Sequence, residues 1–158
     1  MNLIYKTGNL LDAQTDVIAH QVNCQGVMGS GVAKQIKEKW PNVYKKYTYH
    51  VNESYLLEKG PLLGQCQLVE ILDNKYVANL FGQNRFGYDG KRYTSYDGIY
   101  NALTSLAVQM MDNGMESVAF PYKMSSDRGG ADWDIILAMI ESVFKNTNIT
   151  IEIWKYAA

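Results

Sequence analysis

The stretch VIAHQVNCQGVMGSGVAK spans Val17–Lys34 and predicts a strand, a loop and then a helix. Val17–Ala19 is apolar and begins with two β-branched residues, which is typical of a buried strand. Closely spaced glycines follow at Gly26, Gly29 and Gly31. Val32 then opens a segment with the apolar spacing of a helix. The stretch therefore predicts a glycine-containing loop between the end of a buried strand and the start of a helix.

Such a loop is a suitable place for a phosphate group. Glycine lets the backbone approach a ligand closely, and the unpaired N–H groups of a helix N-terminus favour an anion. The common phosphate motifs fit badly, because Val32 stands where a P-loop has lysine and Lys34 stands where a dinucleotide fingerprint has a small residue. The glycine spacing fits two interpretations: a nucleotide-like ligand with its diphosphate on the loop, or an ordinary tight strand-to-helix turn.

The composition is typical of one globular domain covering residues 1–158. A chain of 158 residues buries roughly two thirds of its unfolded surface. The net charge is −1, which argues against a general nucleic-acid binder with a broad basic face. A small anionic ligand held by backbone N–H groups needs no such face. We therefore expect no DNA partner.

The cysteine usage and the hydropathy pattern indicate a cytoplasmic protein. Cys24 and Cys66 lie far apart without metal-ligand spacing, so we expect reduced thiols and no metal site. The N-terminus lacks the pattern of a signal peptide, and no apolar run is long enough to span a bilayer. The sequence therefore predicts no membrane partner.

Strand patterns alternate with helix patterns along the rest of the chain. The predicted strands are Leu3–Lys6, Val17–Gln21, Gln65–Ile71, Lys75–Phe81, Ser117–Phe120 and Ile149–Trp154. The third and fourth strands form an antiparallel hairpin in this prediction. Predicted helices are Val32–Glu38, Val43–Tyr49, one that Thr94 caps, and one carrying Ile136 and Ile140. The pattern predicts an α/β fold, with a mixed sheet covered by helices on both faces.

Polar or glycine-rich loops follow three of the predicted strands. They are Asn23–Gly31, Gly82–Tyr93 and Tyr122–Ala131. In sheets of this class, ligands bind beyond the carboxyl ends of the strands. We therefore expect the three loops to converge on one site.

Several motifs together resemble the macrodomain family of ADP-ribose-binding modules. They are Gly8-Asn9-Leu10, Ala19–Asn23 with Gly26–Ala33, Asn79–Gln83, Thr94–Asp97 and Gly129–Trp133. The resemblance covers nearly the whole chain, and it is greatest to the branch of ADP-ribose 1''-phosphate phosphatases and terminal ADP-ribose protein glycohydrolase. It implies a single three-layer α/β/α domain with a mixed central sheet and an ADP-ribose cleft at its carboxyl edge.

The resemblance implies a set of ligand-binding residues in the first half of the chain. Asn9, followed by Leu10, matches the position that accepts a hydrogen bond from adenine, although macrodomains usually have aspartate there. An ordinary turn role is the alternative for Asn9. Asn23 matches the residue that binds the distal ribose. Gly29, Ser30, Gly31 and Val32 match the loop that closes over phosphate and ribose.

The second phosphate loop departs from the family pattern. Many relatives have Ile-Gly-Cys-Gly or a similar run where this chain has Lys123-Met124-Ser125-Ser126. Either the loop takes a different path, or it relies on the hydroxyls of Ser125 and Ser126. Gly129 and Gly130 restore some backbone freedom and complete the ligand-binding set. Asp132 is either a ligand contact or the N-cap of the next helix.

Hydrolysis at the distal ribose requires a group that activates water. The candidates are Asp127, near the catalytic aspartate of the glycohydrolase branch, and His20, at the end of a strand. A histidine that only shapes the cleft is the alternative for His20. The catalytic lysine of the glycohydrolase aligns with Gln83, which cannot form a covalent adduct, so the resemblance implies a route without that lysine.

The sequence therefore predicts a macrodomain that binds ADP-ribose or ADP-ribose 1''-phosphate and removes the group on the distal ribose. That group is a phosphate or an ester to an ADP-ribosylated protein, and no cofactor is implied. Two alternatives stay open. One is a non-catalytic reader of ADP-ribose, and the other is an RNA or polynucleotide binder that uses the same loops.

Overall fold

The computed structural model describes residues 1–156 and contains one mixed sheet, with the strand order β1-β6-β5-β2-β4-β3. The strands are β1 (Asn2–Thr7), β2 (Val17–Asn23), β3 (Cys66–Leu72), β4 (Lys75–Gln83), β5 (Ser117–Pro121) and β6 (Thr150–Lys155). Neighbouring strands are parallel except β3 and β4, which form an antiparallel pair. The predicted hairpin and the mixed sheet are confirmed.

Helices cover both faces of this sheet. They are α1 (Gly31–Lys39), α2 (Pro41–Leu56), α3 (Tyr96–Asp112) and α4 (Trp133–Phe144), with a short 3-10 helix at Leu10–Asp12. One buried cluster joins the sheet to α1 and α2, and a second joins it to α3 and α4. The predicted three-layer α/β/α architecture is therefore confirmed.

Strand β2 lies inside the sheet, between β5 and β4, and is buried along almost its whole length. Val17 and Ala19 belong to the cluster of α3 and α4, while Ile18 and Val22 belong to the cluster of α1 and α2. Both faces of the strand are covered, so its first half, Val17–Ala19, is a continuous apolar run rather than an alternation. This is why the strand can be identified from the sequence alone.

The N-terminus of α3 differs from the prediction. Ser95 is the N-cap, and its hydroxyl accepts a hydrogen bond from the backbone N–H of Gly98 at 3.0 Å. Thr94, the predicted cap, instead forms a β-bridge with Gln83. The Thr94 hydroxyl donates to the carbonyl of Ser125 at 3.0 Å. Because Thr94 forms these tertiary contacts, it does not cap the helix, and the next residue, Ser95, is the N-cap instead.

Both cysteines are buried and free. Burial raises the pKa of Cys24 to about 11 and the pKa of Cys66 to about 12, so both thiols stay protonated at neutral pH. Within residues 1–156, no helix has the length and hydropathy needed to cross a membrane. The cytoplasmic location stays a prediction.

Candidate functional site

A cavity of about 690 Å³ opens at the carboxyl edge of the sheet. Its walls come from the loops that follow β2, β4 and β5, and the end of β6 lies at one side. The predicted convergence of the three loops is confirmed. It arises because β5, β2 and β4 are adjacent and parallel, so their carboxyl ends lie at the same edge. The volume suits a nucleotide-sized ligand.

Asn23 ends β2 and determines the shape of the first loop. Its Oδ1 accepts a hydrogen bond from the backbone N–H of Gln25 at 3.0 Å, and its Nδ2 donates to the carbonyl of Val27 at 2.8 Å. The Tyr47 hydroxyl lies 2.6 Å from the Asn23 carbonyl and 2.9 Å from Oδ1. Asn23 also lines the cavity. It therefore shapes the loop, and its contact with a distal ribose stays a prediction.

We expect Asn23→Ala to lower the free energy of unfolding by about 2 kcal/mol, because the backbone groups of Gln25 and Val27 and the buried Tyr47 hydroxyl lose a hydrogen bond to its side chain. The corresponding fall in melting temperature is about 6 °C. Thermal unfolding measures the effect, and Gln25→Ala, at an exposed position of the same loop, is the matched control. Equal melting temperatures for the two variants would contradict this role of Asn23.

The N-terminus of α1 faces the cavity. Gly29, Ser30, Gly31 and Val32 all line it, as predicted for the first phosphate loop. Ser30 occupies the N-cap position, but its side chain makes no capping hydrogen bond. The N–H groups of the first turn are therefore available to an anion, and the helix dipole favours one.

The second loop contains two left-handed residues that are not glycine. Lys123 has φ of 60° and Ser125 has φ of 69°. A side chain disfavours this conformation, by about 1 kcal/mol or more per residue. The loop therefore has left-handed turns within the run Lys123-Met124-Ser125-Ser126, where many macrodomains have glycines.

The two serine hydroxyls of this loop are engaged within the protein. Ser125 Oγ donates to Gln21 Oε1 at 2.6 Å, and Ser126 Oγ donates to the carbonyl of Met124 at 3.3 Å. Ser125, Ser126 and Gly129 line the cavity. The backbone of this loop is therefore the better candidate for ligand contact than its hydroxyls.

Gln21 joins three parts of the cavity wall and was missed by the sequence analysis. Its Nε2 donates to Gln83 Oε1 at 2.6 Å and to Thr94 Oγ1 at 2.9 Å. Its Oε1 accepts the bond from Ser125. The available signal was a polar amide in the second half of a strand that begins with an apolar run. Its partners are 62, 73 and 104 residues away along the chain, so no local pattern identifies them.

Gln83 lies at the position that aligns with the lysine of the glycohydrolase branch. Its Oε1 accepts the hydrogen bond from Gln21, and its Nε2 donates to the carbonyl of Arg85 at 2.8 Å. Both ends of the side-chain amide are therefore used in positioning the loop after β4. The absence of a lysine route stays a prediction from the resemblance.

Three predicted ligand-binding residues do not line the cavity. Asn9 Oδ1 accepts a hydrogen bond from the backbone N–H of Leu11 at 3.0 Å, which is the turn role, and Leu10 is buried in the core. Strands β6 and β5 separate β1 from β2 in the sheet, and the loop after β1 packs into the core cluster of α1 and α2. Gly130 packs against the backbone of Lys91 instead.

His20 lies at the inner wall of the cavity and is buried. Its Nε2 is 2.6 Å from Asn79 Oδ1 and donates to that oxygen, so Nδ1 is unprotonated and has no partner within residues 1–156. Burial lowers the pKa of His20 to about 4, against the opposing effect of the bond to Asn79. His20 is therefore neutral at physiological pH.

Asp127 is exposed and lines the cavity, whereas Asp132 does not line it. Asp132 is the N-cap of α4, and its carboxylate accepts a hydrogen bond from the backbone N–H of Asp134 at 2.9 Å. Asp127 is thus the carboxylate best placed for chemistry on a ligand. No group of three or more potential metal-ligating side chains occurs in residues 1–156.

Comparison with known proteins gives consistent matches. The family model described as Macro domain matches residues 19–140. The DNA ADP-ribosyl glycohydrolase of Mycobacterium tuberculosis is 25% identical over 150 residues, which are 90% of this chain and 39% of that protein. This chain thus spans well under half of the length of that relative. The human ADP-ribose glycohydrolase OARD1 is 24% identical over 153 residues, which are 96% of this chain and 90% of that protein.

Solved structures show the same fold. The macrodomain of Mycobacterium tuberculosis DarG superimposes with a TM-score of 0.82 at 24% sequence identity. The match covers 96% of this chain and 96% of that one. The similarity therefore extends over nearly the whole fold.

Proposed function

Because the chain belongs to the Macro domain family, we propose that its cavity binds ADP-ribose and that the protein hydrolyses the bond between the distal ribose and an attached group. The proposal rests on two sets of unpaired backbone N–H groups, which belong to two segments that line the same cavity. The first turn of α1 supplies unpaired N–H groups on one side. In the second loop, the N–H groups of Asp127, Arg128 and Gly129 have no hydrogen-bond partner within residues 1–156. Such groups suit a diphosphate.

The strand order suggests the direction in which the ligand lies. The loop that contains Asn9 follows the edge strand β1, next to β6, whose end supplies Tyr156 to the cavity. Gln83 and Tyr88 follow β4, on the other side of β2. With adenine towards Asn9 and the distal ribose at Asn23, the attached group points towards Tyr88.

Asp127 is the residue that we propose for activation of water. Its carboxylate takes a proton from water, and the resulting hydroxide attacks the anomeric carbon of the distal ribose. The bond from that carbon to the attached group breaks, and the group leaves with the electron pair. His20 is neutral, and its unprotonated Nδ1 is buried without a partner within residues 1–156, so we assign His20 a role in shaping the cavity wall.

Titration calorimetry tests the binding proposal directly. We expect ADP-ribose to bind more tightly than ADP, and ADP more tightly than AMP, because each larger ligand adds contacts with the distal ribose or the second phosphate. Turnover is tested with ADP-ribose 1''-phosphate and with an ester-linked ADP-ribosyl peptide. Asp127→Ala is expected to abolish turnover and keep binding, while Asp134→Ala, at an exposed carboxylate outside the cavity, keeps both.

Binding without turnover on any of these substrates would instead support a non-catalytic reader of ADP-ribose. Equal affinities for ADP-ribose and AMP would contradict recognition of the distal ribose. Failure of ADP-ribose to bind would overturn the whole proposal.

A nucleic-acid strand is a second candidate for the carrier of the ADP-ribosyl group. Tyr88 lines the cavity with 66% of its surface exposed, and the Arg128 guanidinium lies 4.1 Å from its ring centroid. Nearby cationic residues of the same loop are Arg85, Lys91 and Arg92. Aromatic and guanidinium faces stack on nucleobases. This candidate differs from the expectation of no DNA partner, which rests on the net charge of the whole chain and stays a prediction.

Turnover of two substrates, one with ADP-ribose on an oligonucleotide and one with ADP-ribose on a peptide, distinguishes a nucleic-acid carrier from a protein carrier. We expect Tyr88→Ala to slow turnover of a single-stranded oligonucleotide that carries ADP-ribose by about tenfold, with the ester-linked peptide unaffected. Tyr49→Ala, at an exposed tyrosine of α2, is the matched control. An equal effect of Tyr88→Ala on both carriers would argue against a nucleic-acid strand.

A further inference from the structure

Ser125 is held in a conformation that its side chain disfavours. Its φ of 69° lies in the left-handed region, where glycine is the usual residue. Ser125 lies in the middle of residues 121–129, an unbroken run that lines the cavity from the end of β5 and the β5–α4 loop. A change in its backbone angles would therefore redirect the segment that faces the ligand.

Hydrogen bonds from two other elements fix Ser125 in this conformation. Its hydroxyl donates to Gln21 Oε1 at 2.6 Å, and its carbonyl accepts from Thr94 Oγ1 at 3.0 Å. The backbone N–H of Ala131 donates to the same carbonyl at 2.9 Å. The side chain and the backbone carbonyl of Ser125 are therefore both held by hydrogen bonds to residues that lie outside the left-handed turn.

Gln21 is the centre of this network, and its hydrogen-bonding protons are fully assigned. One Nε2 proton goes to Gln83 and the other to Thr94, whose own hydroxyl proton goes to the Ser125 carbonyl. The Ser125 hydroxyl proton goes to Gln21 Oε1. Every donor has one acceptor, so the network has a single consistent arrangement. Because Gln21 belongs to the central strand β2, the arrangement is tied to a rigid part of the fold.

We infer that Gln21 is a positioning residue for ADP-ribose, which holds Ser125 in the left-handed conformation and so preorganises the second loop before the ligand binds. The inference rests on the proposed function of the cavity. Gln21 acts through Ser125, and its own amide is occupied by protein groups. In this chain, a side-chain network thus supplies the loop path that glycine would otherwise supply through its conformational freedom.

Glycine rescue provides the decisive experiment. Calorimetry with ADP-ribose is applied to the wild type, Gln21→Met, Ser125→Gly and the double variant. We expect Gln21→Met to weaken binding about tenfold, because the loop loses its preorganised state. Ser125→Gly keeps the wild-type affinity within about threefold, since glycine adopts a φ of this sign without help. In the double variant, glycine restores most of the affinity that Gln21→Met loses.

Controls separate positioning from a general loss of stability. Gln109→Met removes another side-chain amide that bonds to Cys66 and Ser105, away from the cavity. We expect it to lower the melting temperature without changing the ADP-ribose Kd. If Gln21→Met does not fold, Ser125→Ala carries the test, because alanine lacks both the hydroxyl and the freedom of glycine and must bind more weakly than Ser125→Gly.

The outcomes distinguish the inference from the proposed function. A wild type that does not bind ADP-ribose overturns the proposed function, and the inference with it. A wild type that binds, with Gln21→Met binding equally well, overturns the inference alone. Weaker binding by Gln21→Met that Ser125→Gly fails to restore also overturns it, because the loss would then not pass through the conformation of Ser125.

Discussion

Gly129→Ala is expected to bind ADP-ribose about 100-fold more weakly than the wild type and to unfold with a free energy about 3 kcal/mol lower. A Cβ at this position would lie 2.6 Å from the Ser125 carbonyl oxygen and would also collide with the Thr94 hydroxyl. Neither group can move away freely, since Thr94 donates to that same carbonyl. The loop must shift as a whole, and its cavity-lining backbone shifts with it.

The Gly129 carbonyl makes the effect larger. It accepts hydrogen bonds from the backbone N–H groups of Tyr93 at 2.8 Å and Thr94 at 3.0 Å. Gly129 therefore joins the loop after β5 to the segment before α3, and a displacement affects both. Calorimetry with ADP-ribose and urea unfolding measure the two effects.

Gly29→Ala is the matched stability control. Its Cβ would meet only Val27 Cγ1, at an ordinary contact distance of 3.5 Å, and its φ is not left-handed. We expect its free energy of unfolding to stay within about 0.5 kcal/mol of the wild type. If Gly129→Ala is as stable as Gly29→Ala and binds ADP-ribose normally, the close approach of the two loops is not required.

The stability of the wild type is expected to fall by about 2 kcal/mol more than that of His20→Gln when the pH is lowered from about 7 to about 5. The pKa of His20 is lowered from 6.5 to about 4 in the folded state, mainly by burial. Between these values the unfolded chain binds a proton at this position, whereas the folded protein does not. Stability is therefore fully present above the unfolded pKa, decreases as the pH falls through this window, and levels off below the folded pKa.

His20→Gln isolates this contribution, because glutamine can still donate a hydrogen bond to Asn79 and does not titrate. Urea unfolding at a series of pH values gives the free energy of each protein. All other ionisable groups are the same in both proteins, so their contributions to the difference cancel. Parallel pH profiles would show that His20 is not buried in its neutral form.

The sequence alone determined the architecture, because the signals that define it are local. The apolar run Val17–Ala19 identified β2, and glycines after its end identified the loop that leads into α1. The carboxyl ends of neighbouring parallel strands lie at one edge, so the convergence of three loops on a cavity followed from the order of the elements. Most of the predicted first-loop residues line that cavity for the same reason.

Only the tertiary structure decided how the cavity wall is held. Gln21 contacts residues more than 60 positions away, and Thr94 leaves its predicted capping role for hydrogen bonds with Gln21 and Ser125, which are 73 and 31 positions away. Asn9 does not line the cavity, and strands β6 and β5 separate β1 from β2. The left-handed conformation of Ser125 and the lowered pKa of His20 likewise depend on neighbours that the fold supplies. Local patterns report the period and flexibility of the backbone, whereas hydrogen-bond partners and burial depend on which distant segments the sheet brings together.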